Sequence, residues 1–235
     1  MAGMRRWLVA LFLATALVLA ARDPSGDVPP PGYAWPRAAI YQRQGWADLV
    51  EVRLEKGRVL SFRLDRTPNP GQAPLGFSLA IFAAYLDTGP GGLARLPGAG
   101  FSVPEARAAD QVVLVSGWGA ELIDLKTNES QPLPAERRGD AVAVTLPDLK
   151  VRALYPVVGV YDPFAPLGFR PASVEGGIWR LKAPLGAPWA VDVVGPWPGN
   201  RLMPLGGRWP FNPGVVLLAL LAGLFTAWGV LGLWR

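Results

Sequence analysis

In the stretch RDPSGDVPPPGYAWP, Asp23 and Asp27 bracket a tight Gly/Pro turn. Two carboxylates at that spacing can converge on a hard cation such as Ca²⁺, which takes about six to eight oxygen ligands. Asp48, at the start of the next strand-like run, and backbone carbonyls can supply more, so Asp23, Asp27 and Asp48 are the candidate calcium ligands. The competing reading is ordinary Asx-turn chemistry, in which each aspartate bonds its own backbone. Spacing alone leaves both open.

A second set is aromatic: Trp46, Trp118, Tyr161, Trp179 and Trp189. Exposed aromatic faces on a rigid sheet bind sugar rings through apolar contact, with polar groups at the rim, and the same side chains also fill cores. Trp118 in SGWGAEL and Tyr161 in VYDPFAP sit beside Gly or Pro at strand ends; with Trp179 they are the candidate carbohydrate-binding residues. Paired carboxylates for glycoside hydrolysis are a third possibility. Asp110, Glu121, Asp124, Asp140 and Asp162 are available, yet each also suits a turn or a strand edge, and no spacing singles out an acid and its partner. The chain reads as a non-enzyme. It has no histidine and no cysteine, which removes Ser-His-Asp triads, disulfides, thiol chemistry and histidine-ligated zinc or haem.

These residues must be held by strands. In LVEVRLEKGRVLSFRLD, Val50, Val52 and Leu54 alternate with charged residues; after Lys56-Gly57, Leu60, Phe62 and Leu64 alternate again. Period two puts each apolar set on one face, and Lys56-Gly57 is turn chemistry, so a hairpin is predicted. Further strands are predicted at GFSLAIFAAYLD, DQVVLVSGW, AELIDLK, DAVAVTLP, YPVVGVYD and PWAVDVV. GFSLAIFAAYLD is apolar throughout, which fits a central strand covered on both faces. Many short strands separated by Gly/Pro-rich stretches predict an antiparallel β-sandwich over residues 22–196.

The two ends are of another kind. Val215–Trp234 is 20 residues without a charge, long enough at about 1.5 Å per residue to cross a hydrocarbon core of about 30 Å. Residues 213–235 are therefore expected to be a transmembrane anchor, with a Gly/Pro-rich stalk at 197–212. At the start, Arg5 and Arg6 precede an uncharged run from Trp7 to Ala21 that ends in small residues. Residues 1–21 read as a signal peptide, with Val18-Leu19-Ala20 as a cleavage site, or as an uncleaved signal anchor. Either way the arginines keep that end in the cytoplasm and the middle is exported. The expected location is the cell membrane, with one C-terminal span and the main domain on the extracytoplasmic side. The formal charge is +5, but setting aside Arg5, Arg6 and Arg235 leaves 20 basic against 18 acidic residues. No basic run of nucleic-acid-binding type exists.

The ordered landmarks DPSGDVPPPGYAWP, WADLVEVRLEKGRVLSFRLD, NPGQAPLGFSLAIFAAYLDTGPGG, LPGAGF, SGWG, VAVTLPDL, YPVVGVYDPFAP and IWRL resemble the glucodextranase C-terminal domain, a module similar to DOMON-like and carbohydrate-binding sandwiches. The resemblance implies an immunoglobulin-like sandwich, a carbohydrate or cell-wall polysaccharide ligand, and calcium at the acidic opening loop. There Asp23 and Asp27 match two acidic positions, while Val28 stands where a third is usual. Together these features imply a non-catalytic cell-envelope protein that binds polysaccharide. The alternative is a scaffold or accessory subunit docking another membrane or secreted protein. DOMON relatives that bind haem offer a third comparison, but with no histidine, and Met203 the one methionine beyond the signal segment, no haem is expected.

Overall fold

The computed structural model describes residues 18–205. Its strands are β1 (Val18–Arg22), β2 (Leu49–Glu55), β3 (Val59–Leu64), β4 (Ala80–Asp87), β5 (Gln111–Ser116), β6 (Gly119–Asp124), β7 (Ser130–Leu133), β8 (Ala135–Arg138), β9 (Ala141–Thr145), β10 (Ala153–Val160), β11 (Ala172–Ser173), β12 (Leu181–Lys182) and β13 (Ala190–Val193). One antiparallel sheet has the order β1-β2-β3-β9-β8 and the other β13-β10-β4-β5-β6-β7; β11 and β12 form a separate parallel pair. The sheets stack face to face. Phe62 of β3 lies parallel to Phe82 of β4, ring centroids 4.0 Å apart, and Leu54, Leu60, Val113, Val144 and Val158 pack around them.

The chain is mainly β and antiparallel, as the alternation predicts. Its five- and six-stranded sheets exceed the roughly seven to nine strands of an immunoglobulin domain in total, so the architecture is a larger sandwich than the immunoglobulin-like one expected. Residues 1–17 of the signal segment expected at 1–21, and the whole anchor expected at 213–235, lie outside the described residues. Among the described residues, no helix is long and apolar enough to cross a membrane. Two boundaries move. Val18–Ala21, expected to belong to the signal segment, form most of β1, which pairs along its whole length with β2. Residues 197–205, expected to begin a stalk, are tied to the sandwich: Trp197 packs on Phe101 and Tyr33, Leu202 is buried, and Leu205 bridges Leu154 of β10.

The predicted hairpin is β2–β3. Lys56 and Gly57 both take positive φ, 51° and 66°, the twist that short hairpin connections require. Its register differs at one point. Val52 and Leu54 oppose Phe62 and Leu60, but a bulge between Leu49 and Glu51 puts Leu49, not Val50, opposite Leu64 and into the main core. An extra residue in one strand reverses the facing of everything before it.

β4 is buried along its whole length, as its unbroken apolar run predicts. Phe82, Ala84 and Leu86 face the five-stranded sheet, while Ile81, Ala83 and Tyr85 face a second core built from Leu96, Phe101 and Val103 of the long β4–β5 connection, with Phe169. Val112 and Leu114 of β5 and Ile123 of β6 are buried in the same second core. Replacing the wholly buried Phe82 with Ala should cost about 3–5 kcal/mol in urea denaturation of the purified protein; a loss below about 1 kcal/mol would show that the stacked pair is not the centre of the core.

Candidate functional site

The acidic residues gather where the edge strands β1 and β13 of the two sheets meet. Asp23, Asp27 and Asp192 each bring a carboxylate oxygen within 4.8 Å of the others. Asp23 ends β1, and its Oδ1 accepts from Gly195 N at 2.9 Å. Asp192, in β13, accepts from Leu49 N of β2 at 2.5 Å through Oδ2 and from its own neighbour Val193 N at 2.8 Å through Oδ1. Asp48, wholly buried, accepts from Gly26 N at 2.5 Å, which pins the 23–27 loop over the cluster. The seam is thus stitched by carboxylates accepting backbone N–H groups from both sheets.

The cluster lacks a counter-charge. Among the described residues none of the four carboxylates forms an ion pair, and Asp23 Oδ2 and Asp48 Oδ1 are buried without any hydrogen-bond partner. Burial, opposed by the Leu49 N–H and reinforced by Asp27, pushes the Asp192 carboxyl up to about 9. Burial likewise pushes Asp23 up to about 6, with Asp27 and Asp48 adding to it, and raises Asp48. Buried, unpaired oxygens of this kind suit a hard divalent cation, which would satisfy them and favour the ionised form. Asp23, Asp27, Asp48 and Asp192 are the residues that would hold it.

The second feature is a groove of about 1010 Å³ on the outer face of the six-stranded sheet, with Leu93 and Pro97 of the β4–β5 connection at one border. Its floor includes Leu114 of β5, Glu121 and Ile123 of β6 and Pro132 of β7, and its far wall is the 161–168 loop. Trp118 and Tyr161 both line it. Trp118 is 54% exposed at the tip of the two-residue β5–β6 turn. The preceding Gly117 is needed there, since a Cβ on it would come within 1.6 Å of Phe77 O. Tyr161 is held by its N–H to Leu79 O at 2.8 Å and by Arg170, whose Nη2 donates to Tyr161 O at 3.3 Å. Among the described lining residues Glu121 is the only charged one.

The profile of the "C-terminal binding-module, SLH-like, of glucodextranase" matches residues 18–198. The chain belongs to that family. No curated protein matches the sequence. The match begins at the first residue of β1 and runs past the 195–197 segment that closes the seam, so the glucodextranase-type module contains both the acidic seam and the groove.

Within this module the structure sorts the predicted residues. Asp23 and Asp27 are brought together and Asp48 borders them; Asp192 was missed. Its one signal is a lone aspartate inside the apolar run AVDVV, a charge that a buried strand cannot hold unassisted. Trp118 and Tyr161 share the groove. Trp179 does not line it: it is 55% exposed on another loop, edge-on to Tyr41 at 6.3 Å. Trp46 is core, stacked among Trp35 and Tyr41, and Trp189 lines a separate pocket of about 400 Å³. Most of the carboxylates weighed for hydrolysis are engaged locally. Asp110 accepts from Thr88 N and Oγ1, both at 2.6 Å; Asp124 caps the turn at Lys126 and Thr127; Asp140 pairs with Arg63; Asp162 accepts from Phe164 N and faces Arg170. Glu121 alone of that set lines the groove.

Two outcomes follow from this geometry. Asp23, Asp48 and Asp192 have folded-state values raised above the ordinary 3.8, so the cation-free fold binds more protons than the unfolded chain between about pH 4 and pH 9. Stability should then fall as pH rises through that window. In EDTA the melting temperature should drop between pH 5 and pH 9, and millimolar Ca²⁺ should restore it, most at the alkaline end; a melting temperature indifferent to Ca²⁺ at pH 8 would refute the cation reading. Gly117→Ala should displace the Trp118 turn, seen as a changed Trp fluorescence and lower stability, because the Phe77 carbonyl has no room to yield.

Proposed function

We propose that this is a non-catalytic, membrane-anchored cell-envelope protein whose sandwich stands outside the cytoplasm and binds polysaccharide in the Trp118–Tyr161 groove, with Ca²⁺ held at Asp23, Asp27, Asp48 and Asp192. The observation that carries the reading is the groove itself: an exposed indole and a phenol ring over a sheet, with Ser116, Glu121, Asn128 and Ser130 at hand for sugar hydroxyls. A rigid sheet with aromatic platforms suits a flat, C–H-rich ring face. Membership of a binding-module family supports a binding role. Bound at the seam, Ca²⁺ supplies charge neutralisation and joins the two edge strands.

Within the domain, chain entry and exit lie away from the groove. Val18 opposes Glu55 at the β2–β3 turn, and Leu205 bridges Leu154 near the start of β10. Arg58 of that turn pairs with Asp148, just before β10, so chain entry and exit share one pole. Trp118 and Tyr161 lie at the opposite ends of β5 and β10. Tethering to a membrane would raise local concentration, so that modest single-site affinity suffices.

The test is retardation of the detergent-solubilised protein in gels containing soluble glycans. Neutral polysaccharides should retard it more than acidic ones, because Glu121 gives the groove a negative charge. Trp118→Ala should weaken binding about 30-fold, roughly 2 kcal/mol, and Tyr161→Ala by less. No retardation by any glycan, together with capture of one stoichiometric envelope protein, would replace this reading with the scaffold one.

A further inference from the structure

Glu121 stands where the fold itself has no use for a charge. In β6 it shares the outer face of the six-stranded sheet with Ile123, while Leu122 between them enters the main core. Across the ladders it lies opposite Leu114 of β5 and Pro132 of β7, and the same-face positions along its own strand are Gly119 and Ile123. None of these four side chains can donate a hydrogen bond. Leu114 and Ile123 are buried in the second core, so the carboxylate sits at the margin where that layer ends. Among the described residues Glu121 forms no ion pair. A β-branched or aromatic residue here would pack on its cross-strand neighbours and hold the sheet better. The space beside it is also open, since a Cβ on Gly119 would meet nothing within 4 Å. Glycoside hydrolysis takes two carboxylates, and Glu121 is the one charged side chain among the described residues lining the groove. Its chemistry there is recognition.

A sugar held on Trp118 or Tyr161 uses its ring face, which leaves the ring substituents to meet the floor of the groove. Neutral hydroxyls are served by Ser116, Asn128 and Ser130. A carboxylate without a counter-charge, set among apolar neighbours, favours a substituent that brings both N–H donors and positive charge, because charge-assisted hydrogen bonds are roughly twice as strong as neutral ones. On a sugar ring that substituent is an amine. We infer that Glu121 is the specificity-determining residue of the groove, and that its ligand is a polysaccharide of hexosamine units whose amino groups are free. This rests on the groove reading proposed above and names the substrate class within it. Ser116 is opposite Gly119 and Ser130 opposite Ile123, so hydroxyl oxygens flank Glu121 on both neighbouring strands. They suit the three donors of a primary ammonium. An N-acetylated unit offers one amide N–H and no charge, and a uronic acid is repelled.

The test is calorimetric titration of the full-length protein in detergent with three β-1,4-linked hexamers: glucosamine, N-acetylglucosamine and glucose. In mildly acidic, low-salt buffer, where the sugar amine is protonated, the glucosamine hexamer should bind about tenfold tighter than the glucose hexamer, the factor one charge-assisted hydrogen bond supplies. Molar salt should erase most of that difference. Glu121→Gln should bring the glucosamine hexamer down to the level of the glucose hexamer and leave glucose-hexamer binding unchanged, which also shows that the variant is folded. Equal binding of the glucosamine and glucose hexamers by the unaltered protein overturns the inference and reduces Glu121 to a solubilising charge. A preference that survives Glu121→Gln overturns it too, by placing selection elsewhere. Both of those results leave the groove reading standing when Trp118→Ala weakens all binding, whereas no binding of any hexamer sinks the groove and the inference together.

Discussion

The structure depends on how the two open sides of the sandwich are closed. On one side the chain does it covalently: β7 is the last strand of one sheet, β8 the last of the other, and only Pro134 lies between them. On the opposite side β1 and β13 have no such link, and closure falls to Asp23 and Asp192 reaching across to backbone N–H groups, while Asp48 holds the 23–27 loop through Gly26 N. Burying carboxylates costs several kcal/mol each unless a counter-charge is present. Elsewhere this chain provides one. Asp87, equally buried, accepts from Arg152 Nε at 2.8 Å and faces Arg107 at 3.5 Å. The seam has no arginine in that role, and Asp23, Asp27 and Asp192 each bring a carboxylate oxygen within 4.8 Å of the others. The contrast between one buried aspartate neutralised by two guanidinium groups and a cluster of aspartates without any is what supports the cation proposed at the seam.

The second constraint is uneven cover on the six-stranded sheet. The β4–β5 connection lays Leu96, Phe101 and Val103 over β4 and β10, and Tyr85 OH donates to Pro97 O to hold that layer down. Trp197 and Leu202 extend it. That layer also buries Val112 and Leu114 of β5 and Ile123 of β6, and the groove opens beside it, with a wall of Pro163, Pro166 and Leu167.

Much of this was legible in the sequence, and the failures have physical causes. Period-two alternation marks β2, β3 and β9, and unbroken apolar runs mark β4 and β10, because those patterns follow directly from which faces are covered. β7 and β8 were missed because SQPLPAERR is polar and holds two prolines; both are edge strands, where proline is tolerated and alternation is weak. β1 was hidden because a strand that borders a core and an export signal are written in the same apolar letters. Val50 was placed on the wrong face because a bulge leaves no trace in composition. Asp192 was overlooked since strand patterning weighs apolar residues and treats a single acid within them as noise, when it is the residue that spans the sheets.

The seam and the groove also share a scaffold. Asp48 follows directly after Trp46 and Ala47, both buried, and Trp46 Nε1 donates to Tyr41 O at 3.2 Å. The Tyr41 ring lies under the Arg170 guanidinium at 5.8 Å. Arg170 in turn donates to the carbonyls of Tyr161 and Trp179 and pairs with Asp162, fixing the start of the groove wall. Each step is a packed ring or a hydrogen bond, without a flexible segment between. A cation that fixes Asp48 therefore acts on the same rigid block that orients Tyr161.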